Sequence, residues 1–114
     1  MAPDITDYSA MKNAVDEVAA RFGKLDILVN NAGISAREPL AQYDPEAFKK
    51  IMDLNVTAVF NGCKAAAEHM REHGGSIINT SSMVSIYGQP SGVGYPTSKF
   101  AVNGMTKSLS LIHI

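Results

Sequence analysis

Apolar residues recur at helical spacing between Asp7 and Phe22, through Met11, Val15, Val18 and Ala19, and Gly23 follows as a stop signal. This pattern predicts an amphipathic helix. Leu25 to Val29 is an apolar run too short for a helix, and its Ile and Val content predicts a buried strand closed by the polar turn Asn30-Asn31-Ala32-Gly33. A loop through Pro39 leads to Asp44-Pro45, an N-cap carboxylate followed by proline at the first helical position. The helix that opens there is expected to reach about His73. Its apolar stripe passes through Phe48, Ile51, Met52, Val56, Val59, Phe60, Cys63, Ala67 and Met70, and Gly74-Gly75 ends it. Ser76 to Asn79 reads as a second buried strand, Ser81 to Gly94 as a Ser, Gly and Pro-rich loop, and Tyr95 to Leu111 as a third helix. Helix, strand, helix, strand, helix, with strands that lack polar alternation, implies parallel strands joined by crossover helices in an α/β sheet.

Composition narrows the function classes. The 114 residues are 46% hydrophobic, and ten Lys+Arg stand against eleven Asp+Glu, for a formal charge of -1. Such a balance gives no field to attract a phosphate backbone, so nucleic acid is not an expected partner. No stretch approaches the roughly 18 to 20 apolar residues of a membrane span. The opening Met1-Ala2-Pro3-Asp4 lacks the basic and apolar regions of a signal peptide, which gives a cytoplasmic expectation. Cys63 is the single cysteine, and in an apolar helix pattern it reads as a small buried hydrophobe.

Three features do not fit a purely structural pattern. Tyr95 and Lys99 lie four apart on one helix and so share a face, although such pairs also arise on ordinary helix surfaces. Asn55 falls on the apolar side of its helix, where an unpartnered amide costs about 1 to 3 kcal/mol; a satisfied core amide or a kink would also explain it. The cluster Asn79-Thr80-Ser81-Ser82 ends a strand. Ligands in open α/β sheets bind beyond the carboxyl ends of strands, and both polar clusters, Asn30 to Gly33 and Thr80 to Ser82, lie at such ends.

Other signals carry less. His69-Met70-Arg71-Glu72-His73 matches a zinc-peptidase pattern, but it falls at a helix end, where cationic side chains suit the dipole, and no third ligand is suggested nearby, so no metal is expected. Gly88, Gly92 and Gly94 lack the spacing of a dinucleotide phosphate loop and read instead as part of a substrate-facing loop.

Asn30-Asn31-Ala32-Gly33 after an apolar strand, Asn55 in the next helix, Ser82, and Tyr95-Pro96-Thr97-Ser98-Lys99 together resemble the short-chain dehydrogenase/reductase family. Four elements keep the family's order and spacing, and the similarity runs from about Asp4 to Ser110. The resemblance implies a partial Rossmann-like, doubly wound parallel sheet, its central part only, three strands wide, with N-terminal and C-terminal strands missing. It implies Asn55, Ser82, Tyr95 and Lys99 as catalytic residues. Asp4, Ile5, Asn31, Ala32, Gly33, Tyr95 and Lys99 would face the cofactor, NAD or NADP. Tyr95 would act as the acid in carbonyl reduction and the base in alcohol oxidation, helped by Lys99, since a neighbouring ammonium favours a phenolate. Ser82 would hydrogen-bond the substrate oxygen, and Asn55 would hold a water linking Lys99 to solvent.

The implied activity is hydride transfer between a nicotinamide and a small secondary alcohol or ketone, such as a hydroxysteroid or a 3-oxoacyl thioester, within a homodimeric or homotetrameric parent. A non-catalytic binding protein on the same fold, or an inactive truncated product, is the alternative. The family's glycine-rich turn is absent, and Leu111-Ile112-His113-Ile114 departs from the family's continuation. A truncated or misjoined reading frame is therefore expected, and the 114-residue chain alone is expected to show no reductase activity.

Overall fold

The computed structural model describes residues 2–112; His113 and Ile114, in the tail set apart above, lie outside the described residues. Helix α1, Tyr8–Phe22, starts where the Asp7 carboxylate accepts the Ser9 N–H at 3.1 Å and stops at Gly23, whose φ of 81° is open to glycine at little cost. Strands β1, Ile27–Asn30, and β2, Ser76–Asn79, pair in parallel with Ile27 opposite Ser76 and Asn30 opposite Asn79. The second strand matches its predicted bounds. The first lies further along than predicted because Leu25 packs instead against Met11, Val15 and Ala65 between α1 and the next helix.

The long central helix is interrupted. Helix α2, Pro45–Met52, passes through a π turn at Asp53–Thr57 into α3, Ala58–Met70. The wider turn is marked by the Ala58 N–H bonding to Asp53 O, five residues back. The segment also ends at Met70 rather than His73, with the Gly74 N–H closing on Met70 O at 2.8 Å. Phe60, placed on the apolar stripe by periodicity, is 48% exposed, while Val59 and Cys63 beside it are buried. Helix α4, Gly94–Ile112, follows a single 3-10 turn at Met83–Ser85.

Val59, Cys63 and Val102 close on Ile77, so α3 and α4 cover one face of the sheet, and α1 packs against α3 through Met11, Val15 and Ala65. The opposite face carries Ile27, Val29 and Ile78, each more than half exposed. A doubly wound sheet has helices on both faces. The described residues supply one helical layer and two strands, not the three strands expected, and the chain around Asp4, read as the segment that follows a strand, is a turn. There the Asp4 carboxylate takes the Thr6 N–H at 3.1 Å and the Thr6 hydroxyl at 2.7 Å, which leads directly into the Asp7 cap.

Candidate active site

The two strands end side by side, and their last residues lock the loops that follow. Asn30 Nδ2 donates to Asn79 Oδ1 at 2.8 Å, Thr80 N–H donates to Asn30 O at 3.0 Å, and the Thr80 hydroxyl donates to Asn31 Oδ1 at 3.1 Å. Cys63 sits beneath this ladder within 3.6 Å of Asn30 Nδ2 and 3.8 Å of Asn79 Oδ1. Burial pushes its thiol pKa up, partly opposed by those two contacts, so it is placed as a packing group.

Above the ladder opens a cleft of about 560 Å³, lined by Asn31, Gly33, Ser82, Tyr95 and Lys99 among others. Tyr95 and Lys99 occupy the first two turns of α4. Lys99 is 4% exposed, and its ammonium lies 5.5 Å from the centre of the Tyr95 ring and donates to Thr80 O at 3.1 Å. Among the described residues that is its one hydrogen bond, so its remaining donors are left for a ligand or water. Ser82 is extended, with φ -159° and ψ 161°, and its Oγ accepts the Val84 N–H at 3.3 Å. Its own O–H proton has no partner among the described residues and is free to be donated.

Asn55 lies under the cleft rather than in its wall. The π turn aims its amide inward, fully buried, where Oδ1 accepts the Ile34 N–H at 2.9 Å and Nδ2 donates to Ile34 O at 2.8 Å and Ser98 Oγ at 3.1 Å. Both donors are used, and one lone pair of Oδ1 remains. A Cβ at Gly33 would stand 3.5 Å from that oxygen and 3.6 Å from Lys99 Nζ, so the bare glycine leaves the approach to the ammonium open.

Of the remaining sequence-selected residues, Asn31 and Gly33 are brought to the cleft with Ser82, Tyr95 and Lys99. Ala32 is exposed between them without lining it, and Asp4 and Ile5 do not line it. Ile5 packs against the α1 core, and its carbonyl accepts from Asn61 Nδ2 at 3.0 Å. Sequence reasoning missed Ser98, three residues after Tyr95 and so turned toward Asn55, and the Thr80 carbonyl that holds Lys99. The first was readable from helical spacing; a main-chain acceptor leaves no signal.

Two parallel strands with a serine, a tyrosine and a buried lysine gathered at their carboxyl ends define an α/β unit of the Rossmann kind. The chain belongs to the short chain dehydrogenase family, whose family model matches residues 1–113. It is 61% identical over 109 residues to a 3alpha-hydroxysteroid dehydrogenase of Mediterraneibacter gnavus, covering 95% of this chain and 44% of that protein. A 3-oxoacyl-[acyl-carrier-protein] reductase of Thermotoga maritima is 38% identical over 106 residues, covering 92% and 43%. Among solved structures, an NAD+-bound xylitol dehydrogenase superposes with a TM-score of 0.94 at 36% identity, covering 97% of this chain and 44% of that one. A gluconate 5-dehydrogenase from Burkholderia cenocepacia, in complex with NADP and tartrate, gives 0.88 at 40% identity, covering 93% and 42%. The chain thus spans under half the length of these relatives.

Proposed function

We propose that this chain forms the catalytic portion of an NAD(P)-dependent oxidoreductase that interconverts a secondary alcohol and a ketone. The observation that carries this reading is the buried Lys99 ammonium, fixed by Thr80 O beside the Tyr95 ring, in the same cleft as the undonated Ser82 hydroxyl. The donors left on Lys99 and the space over Gly33 fit a ribose, so Asn31, Gly33, Tyr95 and Lys99 would hold the nicotinamide side of the cofactor, with Ala32 between them. Asp4 and Ile5 would lie toward its adenine side. When bound, the nicotinamide supplies the hydride donor or acceptor.

The rest is work for this chain's side chains. In carbonyl reduction Tyr95 gives its phenolic proton to the substrate oxygen, and Lys99 stabilises the phenolate left behind. In alcohol oxidation Tyr95 takes the proton back. Ser82 donates its hydroxyl proton to the same oxygen as charge builds there. Asn55 holds Ile34 and Ser98 in place under Lys99, and the free lone pair of Oδ1 gives a water one point of attachment.

NAD and NADP both suit the portion of the site present, in keeping with one solved relative bound to each. A hydroxysteroid is the first substrate to try, given the 61% identical relative, and a 3-oxoacyl thioester the second. The exposed Phe60 on α3 and Phe100 on α4 support a homodimer or homotetramer built through those helices. Among the described residues no helix is long and apolar enough to cross a membrane. We place the protein in the cytoplasm, in keeping with its lone free thiol.

The test is turnover in a full-length protein carrying this segment, followed by the absorbance of reduced nicotinamide. Tyr95→Phe is expected to lower ketone reduction about 100-fold or more. Unchanged turnover in that variant would overturn the acid/base assignment.

A further inference from the structure

Helix α4 carries a third polar residue in line with Tyr95 and Lys99. Asn103 follows Lys99 by four positions, as Lys99 follows Tyr95, which puts all three along one helix face. Asn103 does not line the cleft; it reaches the turn that presents Ser82. Its Oδ1 accepts the Ser81 hydroxyl at 2.8 Å, and its Nδ2 donates to Ser85 Oγ at 2.8 Å and, more weakly, to Ser85 O at 3.4 Å. Ser85 is buried, and both its hydroxyl and its N–H donate to Ser82 O, the latter at 3.0 Å.

One amide therefore grips the residue before Ser82 and the residue that holds the Ser82 carbonyl. The turn has little apolar anchorage to substitute for it, since Met83 and Ile86 are 74% and 72% exposed and Val84 is only half-buried. An asparagine suits the place because it must accept on one side and donate on the other. Ser85 Oγ already spends its proton on Ser82 O, so a carboxylate at position 103 would meet an acceptor there.

We propose that Asn103 is a positioning residue that fixes the Ser82 hydroxyl against Tyr95 and Lys99, by tying the Ser81–Ser85 turn to the helix that carries the other two. This rests on the oxidoreductase reading above. Asn103 touches neither substrate nor cofactor in this proposal, and its effect passes entirely through Ser82.

Two measurements test it. On the 114-residue chain itself, amide hydrogen exchange of Val84, Ser85 and Ile86 should quicken about 10-fold or more in Asn103→Leu, which keeps the side-chain size and removes every bond. Asn103→Asp, which keeps the Ser81 bond, should fall between. In a full-length protein carrying the segment, Asn103→Leu should lower kcat about 10- to 100-fold with the KM for the dinucleotide unchanged. Combining it with Ser82→Ala should cost no more than Ser82→Ala alone.

Independent, multiplying losses in the double variant, or unchanged kcat in Asn103→Leu, would overturn the proposal. Unchanged exchange in both variants would overturn it as well, without any appeal to turnover. Absence of ketone reduction in the unsubstituted full-length protein would instead sink the oxidoreductase reading, with the exchange experiment still reporting whether Asn103 holds the turn.

Discussion

Asn55 clasps Ile34 with both ends of one amide, accepting its N–H at 2.9 Å and donating to its carbonyl at 2.8 Å. The same nitrogen reaches Ser98 Oγ on α4, so a single buried side chain ties the loop after β1 to the helix that bears Tyr95 and Lys99. Replacing it by Leu fits the volume but leaves the N–H and the carbonyl of half-buried Ile34 without their partner. The expected cost is about 2 to 4 kcal/mol of unfolding free energy, readable in urea titration. A midpoint unchanged from the unsubstituted chain would mean that water or a rotated peptide serves Ile34 equally well.

Two helical glycines should respond to alanine with opposite sign. A Cβ at Gly62 would collide with Oδ1 of Asn30, where α3 crosses β1, and would break the Asn30–Asn79 bond that aligns the strand ends. Gly62→Ala is expected to lose about 1 to 3 kcal/mol. Gly104 in α4 has open space around it, and Gly104→Ala should gain about 0.5 to 1 kcal/mol by limiting the unfolded chain. Thermal melts of the two variants beside the parent check both, and a shared sign would contradict the close approach at Gly62.

Among the described residues the buried Tyr43 hydroxyl has no hydrogen-bond partner, and it is pressed against the start of α4 where Gly94 leaves room for it. Its desolvation is uncompensated, so Tyr43→Phe removes a cost rather than a contact. The variant should unfold at equal or higher denaturant, with a gain of up to about 1 kcal/mol. The ring still meets Phe48 edge-on at 6.4 Å, and that packing is retained. A loss of stability would show that the hydroxyl finds a partner in solution.

Much of this molecule was readable from residue pattern, and its misreadings share a cause. Strand β2 was bounded cleanly because Gly74-Gly75 precede it and polar residues follow. Strand β1 was misplaced because Leu25 is apolar for the sake of α1, and apolarity does not say which layer a residue serves. Periodicity carried straight through the π turn, since one extra residue shifts the buried face without breaking the run. It could not show that Phe60 turns outward, whereas Asn55, read on the apolar side, is buried there. At the cleft, the sequence-selected Ser82, Tyr95 and Lys99 lie together, whereas partners acting through main chain, Thr80 O and both polar groups of Ile34, are invisible to residue type.

The α1–α3 contact should carry a pH signature. Asp16 on α1 pairs with Lys12 of its own helix at 2.7 Å and with His69 Nε2 of α3 at 2.7 Å, and Glu68 adds a favourable field at Lys12. The Lys12 hydrogen bond, and then that of His69, hold the Asp16 carboxyl below the usual aspartate value. A depressed folded value makes its contribution fully present above the unfolded value, about pH 3.9, and lost as pH falls through the folded one. Lys12 is raised by its bond to Asp16, so its share holds below about pH 10.4 and is lost as pH rises beyond. Asp16→Asn should therefore lower the melting temperature across the neutral range, by an amount that shrinks once pH drops below about 3.9 and in high salt. Both pairs are partly exposed, which keeps the effect small. Melting curves of parent and variant that stay equally far apart at acidic and neutral pH would show that the carboxylate charge does not contribute, leaving only the shape of the contact.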